Sequence, residues 1–302
     1  MINLVEQLRC AIEASAAGRC LLWVDPAQRD PYCPNHIVDE RRVRVPISHF
    51  RFAMGRTPYL VPLDLAVPAD VELFEDSVER ALHAWTADSL HALCGQPISG
   101  WVTTQATPEE LARYWGFRCH LHGHRKKCKL LRFQDPGVRE WLWPSLSEVQ
   151  RRALLGPAAS LFAVGRRQHL LHHVCAAGAD APIPFTLDDQ QWQQAGDFAT
   201  AHAAWLACTT SEREQFSERS VMAALAHAKN FGVTQVSERE LYARHASQLG
   251  SGFHGHARMQ PVWERTRAGS YYGSAVEEVF ECASDELHLH WTLSEEKLAW
   301  PT

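Results

Sequence analysis

The sequence predicts two lobes: an α/β (α+β) N-terminal lobe with a mixed sheet over residues 1–180, then a mainly α-helical C-terminal lobe over residues 181–302 that closes on a short strand. Three observations predict this. Apolar runs of strand length alternate with helix-period segments up to about residue 180. Ala181-Pro182-Ile183-Pro184 reads as a linker, and nearly everything from there to about Cys282 has helical spacing. The chain has 302 residues, 46% hydrophobic and 22% charged. That is long enough for two ordinary domains and too balanced for a disordered, collagen-like or coiled-coil chain.

Each element follows from local pattern. Leu4, Val5, Leu8 and Ile12 recur at helical spacing, so residues 3–16 form an amphipathic helix that Gly18 ends. Cys20 to Val24 is a continuous apolar strand closed by the Asp25-Pro26 turn. Asp30 to Asn35, with Pro31 and Pro34, is loop. Val43 to Phe52 and Tyr59 to Leu63 are strands that Pro46 and Pro62 place at a sheet edge or break early. Leu73, Val78, Leu82, Trp85 and Leu90 lie near one face of a single long helix over 71–94, stopped by Gly95-Gln96-Pro97. Ile98 to Thr104 is a strand. Thr107-Pro108-Glu109-Glu110 starts a helix with a capping Thr, a Pro at the first position and a Glu three residues after the cap. Gly116 ends it. Phe117–His122 and Cys128–Phe133 form a hairpin turning near Gly123. Asp135-Pro136 opens a helix through Trp143, and Ser145-Leu146-Ser147-Glu148 opens another that Gly156-Pro157 terminates. Leu161–Val164 and His169–Val174 are the last strands of this lobe.

In the second lobe Trp192, Ala195, Ala199, His202 and Leu206 mark one helix face. Ser211-x-x-Glu214 and Ser237-x-x-Glu240 read as capping boxes. Leu287, Leu289, Trp291 and Leu293 alternate with His288, His290 and Thr292, the pattern of a half-buried strand.

Charge and cysteine usage narrow the function classes. Thirty basic against thirty-five acidic residues give a net charge of −5, which argues against a surface built as a whole for nucleic acid. The nine cysteines are odd in number, widely spaced and free of C-x-x-C pairs, so they read as reduced thiols. Glu6, Arg9 and Glu13 interrupt the N-terminal apolar pattern, unlike a secretory signal. No apolar run approaches the roughly 18 residues of a membrane span. The expectation is a cytoplasmic protein with neither a membrane nor a nucleic-acid partner.

Several motifs carry possible chemistry. Cys119, His120, His122, His124 and Cys128 are zinc-type ligands within ten residues. A zinc-dependent enzyme or zinc-stabilised domain would use His120, His122 and His124 with a remote ligand. A polar hairpin tip carrying a solvated Arg125-Lys126-Lys127 run explains the same residues, and the spacing matches no standard zinc signature. Gly250-Ser251-Gly252-Phe253-His254-Gly255 fits G-x-G-x-x-G, but it follows a helix rather than a strand, so a glycine-rich helix end is the simpler reading. Arg118, Arg125, Lys126, Lys127, Lys129 and Arg132 form a basic cluster without interleaved exposed aromatics, as a solvated hairpin would. Trp263, Tyr271, Tyr272, Trp291 and Trp300 are candidate partner-binding aromatics, with core filling as the alternative. No G-x-S-x-G, Walker or H-E-x-x-H motif occurs, and no catalytic residue, cofactor or metal site is expected.

Five stretches, in order, resemble one family. They are Leu21-Leu22-Trp23-Val24-Asp25; Thr57-Pro58-Tyr59-Leu60-Val61-Pro62-Leu63; Leu131-Arg132-Phe133-Gln134-Asp135-Pro136; Leu155-Gly156-Pro157; and Phe185-Thr186-Leu187-Asp188-Asp189-Gln190. Together they resemble the effector adaptor chaperones of bacterial type VI secretion (Tap or TEC proteins), with Gln134 standing where that family usually has an aromatic. The likeness covers about residues 20–260. It implies a non-enzymatic adaptor that holds a toxic effector protein in the cytoplasm and loads it onto the C-terminal region of the VgrG spike. Arg132, Phe133, Asp135, Pro136, Gly156 and Pro157 would then be structural signature residues, with Arg132 close enough in sequence to pair with Asp135 or a neighbouring turn.

Overall fold

A computed structural model describes residues 3–15, 18–27, 29–47, 56–92, 95–118, 120–122, 128–175, 185–250, 252–288 and 291. The chain divides into two compact units between Gln191 and Trp192, seven residues beyond the proline-rich linker, and Phe185 and Leu187 in between are buried.

The N-terminal unit begins with α1 (Leu4–Glu13), β1 (Arg19–Val24), α2 (His36–Arg41), β2 (Val43–Arg44) and β3 (Tyr59–Leu63). Then come α3 (Pro68–His83), α4 (Ala87–His91), β4 (Ile98–Thr104) and α5 (Pro108–Arg118). β5 (His120–His122), β6 (Cys128–Leu130), α6 (Pro136–Leu142), α7 (Glu148–Leu155), β7 (Ala158–Val164) and β8 (Leu170–Val174) complete it. Six strands form one sheet in the order β2-β3-β1-β4-β7-β8, and β5 pairs with β6 separately. The two-part α+β and helical class is as expected, and every described pairing is antiparallel rather than mixed.

Register assigns the faces. Val61, Leu22, Trp101 and Phe162 lie opposite one another across four strands and share one face. There the Trp101 indole donates to Ser77 Oγ on α3 at 2.9 Å, and Phe74 meets Trp101 edge-on at 6.2 Å. Leu21, Val102 and Leu161 occupy the other face beside Trp23, which stacks on Trp115 of α5 at 4.1 Å. With helices on both sides, every residue of β4 is buried, so the central strands read as continuous apolar runs.

Several boundaries differ from expectation, each for a physical reason. The helix expected over 71–94 breaks after His83, because Trp85 turns inward to donate its Nε1–H to the Val164 carbonyl at 3.0 Å and Thr86 caps α4. Gly116 lies inside α5 rather than ending it. A Cβ there would sit 2.8 Å from the Pro46 carbonyl oxygen, so glycine permits a close backbone approach. Phe117, expected in the hairpin, is therefore helical. Asn35 caps α2, where the sequence pattern was silent. Of the strand expected from Val43 to Phe52, residues 48–52 lie outside the described residues.

The C-terminal unit consists of α8 (Asp189–Ala207, from its fourth residue), α9 (Thr210–Gln215), α10 (Glu218–His227), α11 (Val236–Leu249), α12 (Gln260–Arg267) and α13 (Tyr272–Phe280). The buried positions of α8 are Gln191, Asp197, Thr200, Ala201, Ala204 and Trp205, not the stripe from Trp192 to Leu206. Arg239 holds the buried Asp197 at 2.5 Å, so the inward face carries an ion pair beside Ala201, Ala204 and Trp205. The capping box sits at Thr209 and Glu212, two residues before the expected one. α11 starts at Val236 without a side-chain cap, so Ser237 and Glu240 form no box.

Among the described residues the expected closing strand is not formed. Leu287, His288 and Trp291 are helical, and Leu289 and Leu293 lie outside the described residues. Leu287 and Trp291 are both buried. A spacing of four satisfies alternation and a helical face equally, which is why the pattern misled. No described helix is long and apolar enough to cross a membrane.

Candidate functional site

The residues of the expected signature lie in the N-terminal unit at two places, Arg132 to Pro136 by the end of β1 and Gly156-Pro157 by the end of β4. Asp135 opens α6 as its N-cap, its carboxylate accepting from Gly137 N–H at 2.9 Å and Val138 N–H at 3.4 Å, with Pro136 at the first helical position. Phe133 is buried, 5.2 Å from the Trp23 ring and 5.8 Å from Trp115. Arg132 reaches back to the end of β1 and pairs with Asp25 at 3.1 Å, across 107 residues of sequence, rather than with Asp135.

The electrostatics of that pair are lopsided. The Asp25 side chain is 3% exposed and that of Arg132 is 44% exposed. Burial pushes the Asp25 carboxyl above its ordinary 3.8, while Arg132, the Ala27 N–H and the Gln134 amide pull it back. Gln134 is fully buried beside this carboxylate, although neither of its amide atoms has a partner at hydrogen-bond geometry. Gln134 thus puts a polar amide next to the buried Asp25.

Arg139, which the sequence reading did not single out, holds the turn from below. Its guanidinium donates to the carbonyls of Phe133 at 2.7 Å and Gln134 at 3.0 Å and to that of Ser99 on β4, and lies 5.4 Å over the Trp23 ring. Burial lowers its pKa to about 9, against the opposing pull of Asp135. The available signal was an arginine in the otherwise apolar start of a seven-residue helix.

Gly156 and Pro157 close the same lobe. Gly156 has φ +59°, and a Cβ there would lie 2.1 Å from the Tyr114 ring, whose hydroxyl donates to Ala153 at 2.8 Å. The Pro157 carbonyl accepts from Thr104 Oγ1 at 2.8 Å. The last signature stretch starts α8: Asp188 accepts from Gln191 N–H at 2.7 Å, and Gln191 Oε1 accepts from Asp188 N–H at 3.1 Å. These residues cap, pair and pack within the fold.

The candidate aromatics of the helical unit are not one surface. Trp263 and Tyr272 are fully buried and stack on each other at 5.7 Å, so neither can touch a partner. Tyr272 also donates to or accepts from His245 Nδ1 at 2.7 Å, while His245 Nε2 meets the Ser284 carbonyl at 2.7 Å. Burial drives that imidazole down to about 3, so it is neutral. Trp291 is buried against His256, Phe280 and Arg258. Tyr271 is 56% exposed. Trp300 lies outside the described residues.

The hairpin pairs His122 with Cys128 and His120 with Leu130. Cys119, His124 and the basic run 125–127 lie outside the described residues, as do the side chains of His120, His122 and Cys128. Among the described residues no group of three or more His, Cys, Asp or Glu could hold a metal ion. α11 precedes the G-x-G-x-x-G stretch and ends at Gly250, φ +88°, the helix-end arrangement expected. Comparison with family models, curated proteins and solved structures gives no match for this chain.

Proposed function

We propose that this protein is a non-catalytic adaptor that binds a toxic type VI effector in the cytoplasm and delivers it to the VgrG spike. The observation that carries the reading is the Arg132–Asp25 pair. It joins the first and third of the stretches that resemble the adaptor chaperones. The second stretch is β3, paired with β1, and the fourth packs on α5 through Tyr114. Residues scattered over more than a hundred positions thus serve one scaffold, as expected of a signature that keeps a binding lobe in shape. Such a protein acts through complementary surfaces and needs no nucleophile, cofactor or metal.

Co-expression with a VgrG spike protein and a type VI toxin from the same genome tests this. A stable ternary complex is expected, and neither binary complex forming would overturn the reading. A second reading, a zinc-stabilised hairpin, draws on the register that sets His122 opposite Cys128. Elemental analysis of chelator-free protein decides it: stoichiometric zinc, lost in the His120→Ala/His122→Ala variant, is its required result.

A further inference from the structure

We infer that the cleft between residues 31–38 and α3 is a docking groove for a cationic peptide segment of a partner protein, anchored by an apolar side chain. The groove is argued from its own residues. It rests on the adaptor reading only for the identity of the protein that brings the segment.

α3 has two working faces. Phe74, Ser77, Val78 and Ala81 face the core. Ala69, Glu72, Leu73, Asp76 and Arg80, at the i, i+3, i+4, i+7, i+11 positions of a second stripe, line a cleft of about 430 Å³. The opposite wall is Pro31 to Asn35 with Ile37 and Val38 at the start of α2. Ile37 is 49% exposed there, across from half-buried Leu73. An exposed isoleucine beside two prolines and a leucine is an apolar lining without a described neighbour to cover it.

The wall is fixed before anything binds. Asp30 accepts from Tyr32 N–H at 3.0 Å and Tyr59 O–H at 2.7 Å, and Asn35 accepts from the Ile37 and Val38 N–H groups at 3.1 and 3.3 Å. The Tyr32 ring is buried as the floor, with the Arg80 guanidinium 5.3 Å above it. A preformed groove spares a ligand the cost of ordering it.

Charge selects the occupant. Three nearby arginines are already engaged: Arg80 by Asp76 at 2.6 Å, Arg41 by Asp70 at 2.5 Å, and Arg42 by Asp39 at 2.9 Å and Asp30 at 3.5 Å. Glu72 lines the groove, and exposed Glu40 and Glu79 stand on the helices either side. The excess is negative, so the field favours lysine- or arginine-bearing segments and repels acidic ones.

Fluorescence anisotropy on the full chain tests this with a labelled peptide of alternating leucine and lysine, against a leucine–glutamate peptide of equal length. The leucine–lysine peptide should bind, more weakly as salt rises. Ile37→Asp and Glu72→Lys should each weaken it about tenfold, equivalent to about 1.4 kcal/mol. Both residues are exposed or half out of the core, so circular dichroism should be unchanged. Glu72→Lys should also gain affinity for the leucine–glutamate peptide. Equal binding of the two peptides, or binding indifferent to Ile37→Asp, overturns the groove. So does a sedimentation dimer lost on Ile37→Asp, which would assign the cleft to a second copy. Failure here leaves the ternary-complex experiment to judge the adaptor reading separately.

Discussion

Removing the charge of Arg132 should cost more stability than removing the charge of Asp25, although the two form one ion pair. Arg132→Met leaves a carboxylate that is 3% exposed with only the Ala27 N–H and the Gln134 amide beside it. Breaking a buried pair this way costs about 3–5 kcal/mol. Because the Arg132 side chain is 44% exposed, water takes part of its place, and we expect about 1–2 kcal/mol. Asp25→Asn removes the buried charge and keeps an acceptor for Ala27, so its cost should stay within about 0.5 kcal/mol. The pH dependence has a definite sign. The folded-state pKa of Asp25 is raised above 3.8, so its contribution is fully present below that value and is lost as pH rises through the folded one. Arg132→Met moves that window upward, and Asp25→Asn abolishes it. Hydrogen exchange of peptides covering β1 and α6, in urea across acid to neutral pH, reads the local stability directly. Asp25→Asn proving as damaging as Arg132→Met would refute the reasoning.

Three other outcomes are expected. Gly156→Ala should lower the stability of the first unit by more than about 1 kcal/mol in urea melts, since its φ of +59° and the Tyr114 ring both oppose a Cβ. Trp263→Ala should cost about 3–5 kcal/mol, whereas Tyr271→Ser should stay within about 0.5 kcal/mol, a contrast that thermal melts resolve. The His245 pKa is depressed to about 3, so its contribution is present above about 6.5 and is lost as pH falls towards 3. Acid titration of the helical unit should show this, and His245→Gln should flatten it.

Where the pattern lay in neighbouring residues, it was readable. Asp135-Pro136 announces a helix start because a cap satisfies donors two or three residues away, whereas the start expected from Ser145 to Glu148 is capped two residues on, by the box of Ser147 and Gln150. β1, β4 and β7 appear as apolar runs because both faces of the sheet are covered. The signature residues were legible as scaffold, yet the partner of Arg132 was not, since Asp25 lies 107 residues away. Trp263 and Tyr271 illustrate the same limit, for residue type alone leaves an aromatic equally suited to core or surface.

Local chemistry, then, settled the two-part class, most strand positions and several helix caps from the sequence, because these depend on periodicity and on hydrogen bonds within one turn. The tertiary structure decided which faces turn inward: the buried face of α8 carries Asp197 paired with Arg239, Trp85 ends α3, and Leu287 with Trp291 make helix from an alternating tail. Those choices are made by distant partners, and burial of a charge or an indole is weighed only when the chain has folded around it.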